Sequence, residues 1–291
     1  MNASRENAPR KWEDEEMSRA LSVCHGGFGR AALYELDSTF VTHAHREGHL
    51  IFYIDGGPAH VPVGNIVIKL DATTAVAVSP WEPHSFHLET PGESCLCLVL
   101  YIKPTWFPRA SQCAEFALNF GRARIRVSDD ISCWVQRLTN LLVDQELSDS
   151  FDSALLEITR RSYDQSWAGI GGNDGMFSVR ARYSDHRIRR SLKLMRGGFT
   201  EDMSIKMVAR EAGLSHQHFF QLFKRYIGVT PNVYWNALRA EQAIEDLLTT
   251  EKSVTDIGYK IGFSSQASFT RFFTSNVGIP PSEYRRRAYI H

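Results

Sequence analysis

Cysteine is scarce in this 291-residue chain: Cys24, Cys95, Cys97, Cys113 and Cys133 make an odd count with no CxxC pair. That excludes a disulfide framework and a zinc-knuckle pattern. No apolar run approaches the length needed to cross a bilayer, and the polar, charged N-terminus does not read as a signal peptide. A reduced, soluble, cytoplasmic protein with no membrane partner is expected. Net charge is also missing, with 33 basic against 33 acidic residues. The balance conceals a split. Residues 176–291 hold 18 Lys and Arg against 10 Asp and Glu, a net of +8, and the remainder carries −8. A basic C-terminal part suits a polyanion, whereas an acidic N-terminal part does not bind one unaided.

The C-terminal part says nearly the same thing twice. Ser204-Ile205 matches Ser253-Val254, and Gly213-Leu214-Ser215 matches Gly262-Phe263-Ser264, at an offset of 49 residues. After one extra residue the offset becomes 50, so that Phe219, Phe223, Gly228, Pro231 and Tyr234 meet Phe269, Phe273, Gly278, Pro281 and Tyr284. Such a repeat demands explanation first.

Each copy reads as a helix-turn-helix, over 204–227 and 253–277. Ser204 caps a short helix whose apolar residues Ile205, Val208 and Ala212 fall at helical spacing. Ala209, like Gly258 in the second copy, is small enough for a second helix to approach. Gly213 supplies the left-handed turn, Leu214 plugs the gap, and Ser215 caps the next helix. That helix buries Phe219, Leu222, Phe223 and Ile227 and turns His216, Gln217, Phe220, Gln221 and Lys224 outward. In the second copy Ser264 is expected to cap, with Phe269, Phe272, Phe273 and Val277 inside. Gln266, Ala267, Ser268, Arg271 and Thr274 then face out. A short helix, tight turn and second helix with a polar outer face is the motif that enters the DNA major groove. Between the copies, Thr230 and Pro231 start a helix that runs to about residue 250.

Residues 180–287 resemble the DNA-binding domain of the AraC/XylS family of bacterial transcription regulators. The resemblance is carried by Val208-Ala209, Gly213-Leu214-Ser215, Leu222-Phe223-Lys224-Arg225, Gly228, Pro231, Arg239 and Ala243. It continues through Asp256-Ile257-Gly258, Gly262-Phe263-Ser264-Ser265-Gln266, Phe269, Arg271, Phe273 and the run from Gly278 to Arg285. It implies double-stranded DNA as partner, with RNA polymerase a candidate second one. The expected base readers are His216, Gln217, Phe220, Gln221, Gln266, Ser268 and Arg271. The expected phosphate contacts are Lys224, Arg225, Arg239 and Arg285. Two departures stand out: Gln221 replaces an Arg frequent in the family, and Phe273-Thr274-Ser275 lacks its usual basic pair.

The N-terminal part reads differently. Residues 1–17 are charged and poor in apolar content, an expected disordered tail. Short strand-like runs follow over 31–36, 50–54, 66–70, 74–78 and 95–102, separated by Gly and Pro. Such spacing suggests an antiparallel barrel or jelly roll, and the resemblance implies a cupin-like barrel. Cys95 and Cys97 are expected as small packing residues in the last run. Within it, His43-x-His45, His49 and Pro83-His84 resemble the cupin metal motif, with His49 where a carboxylate is usual. Regulators of the family commonly keep this pattern without metal. The expectation is therefore an effector pocket of His43, His45, His49, Trp81 and His84, with Phe86 and Tyr53 nearby, no metal and no cofactor. From 128 to 166 the period turns helical: Ile131, Trp134, Leu138 and Leu141, widened by Val135 and Leu142, then Phe151, Leu155 and Ile158. A helix pair packed on the barrel fits this stripe, and it is where the family usually dimerises, so a homodimer is a candidate assembly.

The expected class is α+β with two domains: a cupin-like effector domain with helix pair over 18–168, a glycine-rich linker over 169–179, and an all-α domain with two helix-turn-helix motifs over 180–291. The linker is expected to leave the C-terminal domain free to fold and bind DNA alone. The function expected is ligand-responsive transcriptional regulation without catalytic residues, activation and repression both open. The rival is a cupin-type metal-dependent enzyme with an appended domain, which leaves the repeat unexplained.

Overall fold

The computed structural model describes residues 18–104, 106–107, 118–146, 149–169, 185–197 and 204–291. The expected tail at 1–17, the linker beyond Gly169, and Cys113 lie outside them. The chain opens with ten strands: β1 (Arg19–Gly26), β2 (Gly29–Leu36), β3 (Phe40–His43), β4 (Gly48–Gly56), β5 (Ala59–Val63), β6 (Ile66–Leu70), β7 (Thr74–Val78), β8 (His84–Leu88), β9 (Cys95–Ile102) and β10 (Arg124–Arg126). Helices α1 (Asp129–Asp144) and α2 (Asp149–Trp167) follow. The C-terminal part holds α3 (His186–Arg196), α4 (Ile205–Glu211), α5 (His216–Ile227), α6 (Pro231–Thr249), α7 (Val254–Lys260), α8 (Gln266–Val277) and α9 (Pro281–Arg287), then β11 (Ala288–Ile290). A β-rich N-terminal domain thus precedes a helical one.

The strands form two separate sheets among the described residues, ordered β10-β7-β4-β9-β2-β1-β11 and β3-β8-β5-β6. Of the expected barrel or jelly roll, no closed barrel is found among the described residues. The reason is legible in β9. Its alternate residues Cys95, Cys97, Val99 and Tyr101 pack with Val61, Val63 and Phe86 of the smaller sheet. Leu98, Leu100 and Ile102, on the other face, pack with Ile131, Leu138, Phe151 and Ile158 of the helix pair. A sheet covered on both faces reads as a continuous apolar run rather than an alternating one, which is why CLCLVLYI shows no polar face. The two cysteines are fully buried, as expected of small packing residues.

Helix α1 buries Ile131, Val135, Leu138 and Leu142, about 1.5–3 kcal/mol for each large side chain taken from water. Trp134 and Leu141 of the expected stripe are only partly buried. Ser128 caps the helix start, and Gln145, at φ 54°, ends it.

The expectation of uncoupled domains is corrected. Strand β11 adds to the large sheet, parallel to β1, with Val23, Cys24 and His25 opposite Ala288, Tyr289 and Ile290. Ile257, Phe269, Phe273, Val277 and Ile279 join the same apolar core as Phe40, Val61 and Phe86. On the other side Trp81 and Ala44 enter the core of α3 to α6, and the Trp81 ring stacks on Tyr234 at 4.4 Å and 25°. Arg46 Nη2 pairs with Glu241 on α6 at 3.2 Å. Domains that bury apolar surface against each other in this way do not move independently.

Candidate nucleic-acid interface and effector pocket

Both expected helix-turn-helix motifs are present. Ser204 caps α4 by accepting from the Met207 amide, Gly213 adopts φ 71°, and Ser215 caps α5 through the His218 amide. In the second module Ser253 caps α7 and Gly262 turns at φ 87°. The cap of α8 is Ser265, not Ser264: its hydroxyl accepts from the Ser268 amide. The extra residue of the second copy lies in this turn, so the cap moves with the helix start. A Cβ at Gly258 would sit 3.0 Å from Phe269 Cβ, confirming that this position is small to admit α8.

The outer faces separate clearly. His216, Gln217 and Gln221 on α5 and Gln266 and Arg271 on α8 are exposed, as are Lys224 and Arg225. Phe220 is half-buried, against His216 at 4.6 Å, and Ser268 is half-buried within hydrogen-bond distance of Ser265. Gln266 Oε1 accepts from Thr255 Oγ1 at 2.8 Å, which orients that amide. Phe272, expected inside, is partly buried and lies against Phe263 at 4.7 Å.

Two cations expected at phosphates are engaged otherwise. Arg239 is half-buried, its guanidinium 5.7 Å from the Trp235 ring centre and 5.1 Å from that of Phe263. Burial lowers its pKa. Arg285 donates to the carbonyls of Leu247 and Thr250, capping the C-terminus of α6. Both fasten α6 to the second module. With 19 residues, α6 is a rod of about 28 Å, comparable to the roughly 34 Å between successive major-groove segments.

In the N-terminal domain the histidines gather as the spacing suggested. Ring centres lie 4.3 Å apart for His43 and His84, 4.4 Å for His49 and His84, and 5.3 Å for His45 and His49. Tyr101 lies 5.2 Å from His45 and 5.1 Å from His49. Burial depresses the pKa of all four, holding them neutral. Phe86 borders their small cavity of about 40 Å³. Trp81 does not belong to this group. Its left-handed backbone, φ 63°, and its amide bond to the His45 carbonyl direct it into the helical domain. Tyr53 instead donates its hydroxyl to the Gly56 carbonyl.

A larger cavity of about 430 Å³ lies between the domains. Arg30, His45, Arg46, Tyr101 and Lys103 line one side, and Ala237, Ala240, Ile244 and Leu248 of α6 the other. Arg30 is 6% exposed and lies 3.6 Å over the Tyr101 ring. Its Nη1 donates to the Tyr284 hydroxyl at 3.0 Å, and that hydroxyl lies 2.7 Å from His25 Nε2. Burial, with Arg30 and Lys103 nearby, pushes His25 down to about 3, so its ring is neutral and can accept the phenol proton. Burial pushes Tyr284 up to about 12. None of Arg30, Lys103 or Tyr284 was singled out from sequence for this place. Arg30 is the one cation in a short, mostly apolar strand, and only that contrast could have flagged it.

Two helix-turn-helix modules with polar outer helices are thus joined by one rod and docked on a β-rich domain. The C-terminal part carries a helix-turn-helix domain of the AraC type. Residues 208–287 match the helix-turn-helix domain family model. The lactose operon transcription activator of Staphylococcus xylosus is 25% identical over 116 residues, 40% of this chain and 42% of its own. The transposon Tn10 TetD protein of Escherichia coli is 42% identical over 79 residues, 27% of this chain and 57% of its own. The chain thus spans less than two thirds of either relative. Among solved structures, ToxT from Vibrio cholerae with bound unsaturated fatty acid is similar at TM-score 0.52 and 17% identity, over 88% of this chain and 94% of that one. That likeness extends through both domains and concerns the fold.

Proposed function

We propose that the protein binds specific duplex DNA through α5 and α8 and regulates transcription in response to a small carboxylate-bearing effector held between its domains. The observation that carries this reading is the double role of α6: it joins the two DNA-reading modules and walls the interdomain cavity. A ligand there touches both domains, so any preference for one arrangement of the modules changes DNA affinity by the same free energy. Arg30 supports the ligand class. Its Nε has no hydrogen-bond partner among the described residues, and an uncompensated buried guanidinium N–H favours an anionic acceptor. ToxT, similar in fold, is known with an unsaturated fatty acid bound. His45 borders the cavity, while His43, His49 and His84 stand behind it, so the expected histidine pocket becomes one wall of a larger site.

Gln217, Gln221 and Arg271 are read as base contacts, because amides suit adenine and a guanidinium suits guanine. Lys224 and Arg225 are read as phosphate contacts. The facing sheets with their histidine group support a cupin-like ancestry for the N-terminal domain. Exposed Val143 and Leu156 on the helix pair favour it as a homodimer face. Contact with RNA polymerase and a cytoplasmic location accord with the regulator reading; no helix among the described residues is long and apolar enough to cross a membrane.

The test is duplex binding by the full chain to selected sites, with and without a panel of fatty and aromatic carboxylates. A change in affinity that Arg30→Met abolishes, while basal binding persists, supports the reading. Binding indifferent to every carboxylate overturns the effector class.

A further inference from the structure

Buried histidines ordinarily satisfy their ring nitrogens with protein partners. The group at the foot of the small sheet does so only on one side. His43 Nδ1 faces the Val41 carbonyl at 2.8 Å, and His84 Nδ1 faces the Glu82 carbonyl at 2.9 Å. A carbonyl oxygen only accepts, so both rings carry their proton on Nδ1 and present a bare lone pair on Nε2. This is the arrangement in which a second partner fixes the tautomer of a metal-ligating imidazole. His45 Nε2 and His49 Nδ1 are buried with no hydrogen-bond partner among the described residues. One ring nitrogen each from His43, His45 and His84 lie within 4.8 Å of one another.

We propose that His43, His45 and His84 bind a divalent first-row transition-metal ion, with His49 placed to serve as a fourth ligand. The chemistry selects the class. Neutral imidazoles without a carboxylate among them suit zinc, cobalt, nickel or copper rather than magnesium or calcium. With metal–nitrogen bonds of about 2.0–2.1 Å, tetrahedral ligands sit about 3.3 Å apart, so the nitrogens must close in by side-chain rotation. The backbone favours that closure: His43 and His84 are directly opposed in the β3–β8 ladder. His45 follows two residues after His43, and Trp81 donates its amide to the His45 carbonyl, pinning the loop.

One group opposes the ion. Arg30 is a buried cation, but it lies on Tyr101, whose ring contacts His45 and His49. The guanidinium thus lies one ring away from the proposed site, and its charge works against the ion. The proposal replaces the metal-free expectation drawn from sequence; it shares His45 with the wall of the effector cavity but does not depend on DNA binding.

The experiment uses tag-free full-length chain, stripped with a chelator and titrated with Co²⁺ while the ligand-field absorption is followed, then with Zn²⁺ in competition. Saturable binding of one ion per chain is expected, with the absorption of a nitrogen-ligated, low-coordinate cobalt and a higher unfolding temperature in the presence of metal. His43→Ala and His84→Ala should each lower affinity at least tenfold, whereas His186→Ala, an exposed histidine elsewhere, should retain it. Circular dichroism without metal checks that each variant folds. Should His84→Ala fail to fold, His43→Gln at the half-buried rim carries the same comparison. Absence of saturable binding in the stripped wild type, or binding untouched by the His43 variants, overturns the site.

Discussion

Phe223 and Phe273 hold the same place in the two copies of the helix-turn-helix, yet they are buried among different neighbours. Phe223 belongs to a core made mainly by α3 to α6, which, among the described residues, the N-terminal domain enters through Ala44 and Trp81. Phe273 lies 5.5 Å from Tyr284 in a core shared with both sheets. Downstream of the second copy, β11 extends the large sheet and the Tyr284 hydroxyl reaches Arg30 and His25. Modules of one pattern can therefore be held to the N-terminal domain with unequal strength. The first is tethered through Ala44 and the Trp81–Tyr234 stack, and the second is built into the N-terminal domain's own core. A signal in the N-terminal domain should reach the second module through packing and the first through α6 and Trp81.

The sharpest break of this comparison is a pair of truncations. Phe223→Ala and Phe273→Ala should each cost about 3–5 kcal/mol, the usual loss for an emptied aromatic core position. Hydrogen exchange should then divide them: Phe273→Ala raises exchange in β1 and β2, while Phe223→Ala raises it within α4 and α5. Equal effects on the sheet would show that the modules are equally coupled.

Base reading sharpens it next. Arg271→Ala should cost about 1–3 kcal/mol on the selected site and relax preference at one base pair. Gln221→Ala should relax a different position read by the first module. If site selection returns the same motif for wild type and Arg271→Ala, the second module anchors without reading.

Burial of His25 also sets a pH dependence. His25 is held neutral, its pKa near 3 in the folded protein against 6.5 for the free side chain. As pH falls below 6.5 the unfolded chain takes up a proton that the folded chain refuses, so stability falls with a slope of up to about 1.4 kcal/mol per pH unit for this residue. Above 6.5 its contribution is flat. Urea midpoints for wild type should drop more between pH 7 and 5.5 than those of His25→Gln. Parallel curves would remove His25 from the account.

The smallest expected effect concerns Arg225, exposed near the end of α5. Its replacement by Ala should weaken binding to all sequences alike and reduce the salt slope by about 1. A sequence-dependent loss would make Arg225 a reader.

How much could be read in advance differed between the domains. The helix-turn-helix pair was legible because caps, glycine turns and helical spacing are local signals, and they recur in register. Only the α8 cap moved, from Ser264 to Ser265, within a turn one residue longer than its twin. The N-terminal strands were half legible. The runs that became β2, β4, β6, β7 and β9 stood out as apolar. Strands β1, β5 and β10 were missed because charged, histidine or proline residues interrupt them. Arg239 and Arg285 read as phosphate ligands because charge is visible in a sequence and burial is not.

Local chemistry written in the chain determined the two modules, the rod between them, the basic polarity of that end and the convergence of four histidines. Tertiary structure decided the rest: two sheets instead of a closed barrel, Trp81 delivered to the helical domain, β11 added beside β1, and a cavity walled by α6. Each of these joins residues far apart in sequence, and such pairing depends on which apolar surfaces find one another in three dimensions. A three-residue strand such as β11 carries almost no pattern of its own. It forms because the open edge of β1 and the buried Tyr284 hydroxyl hold it there.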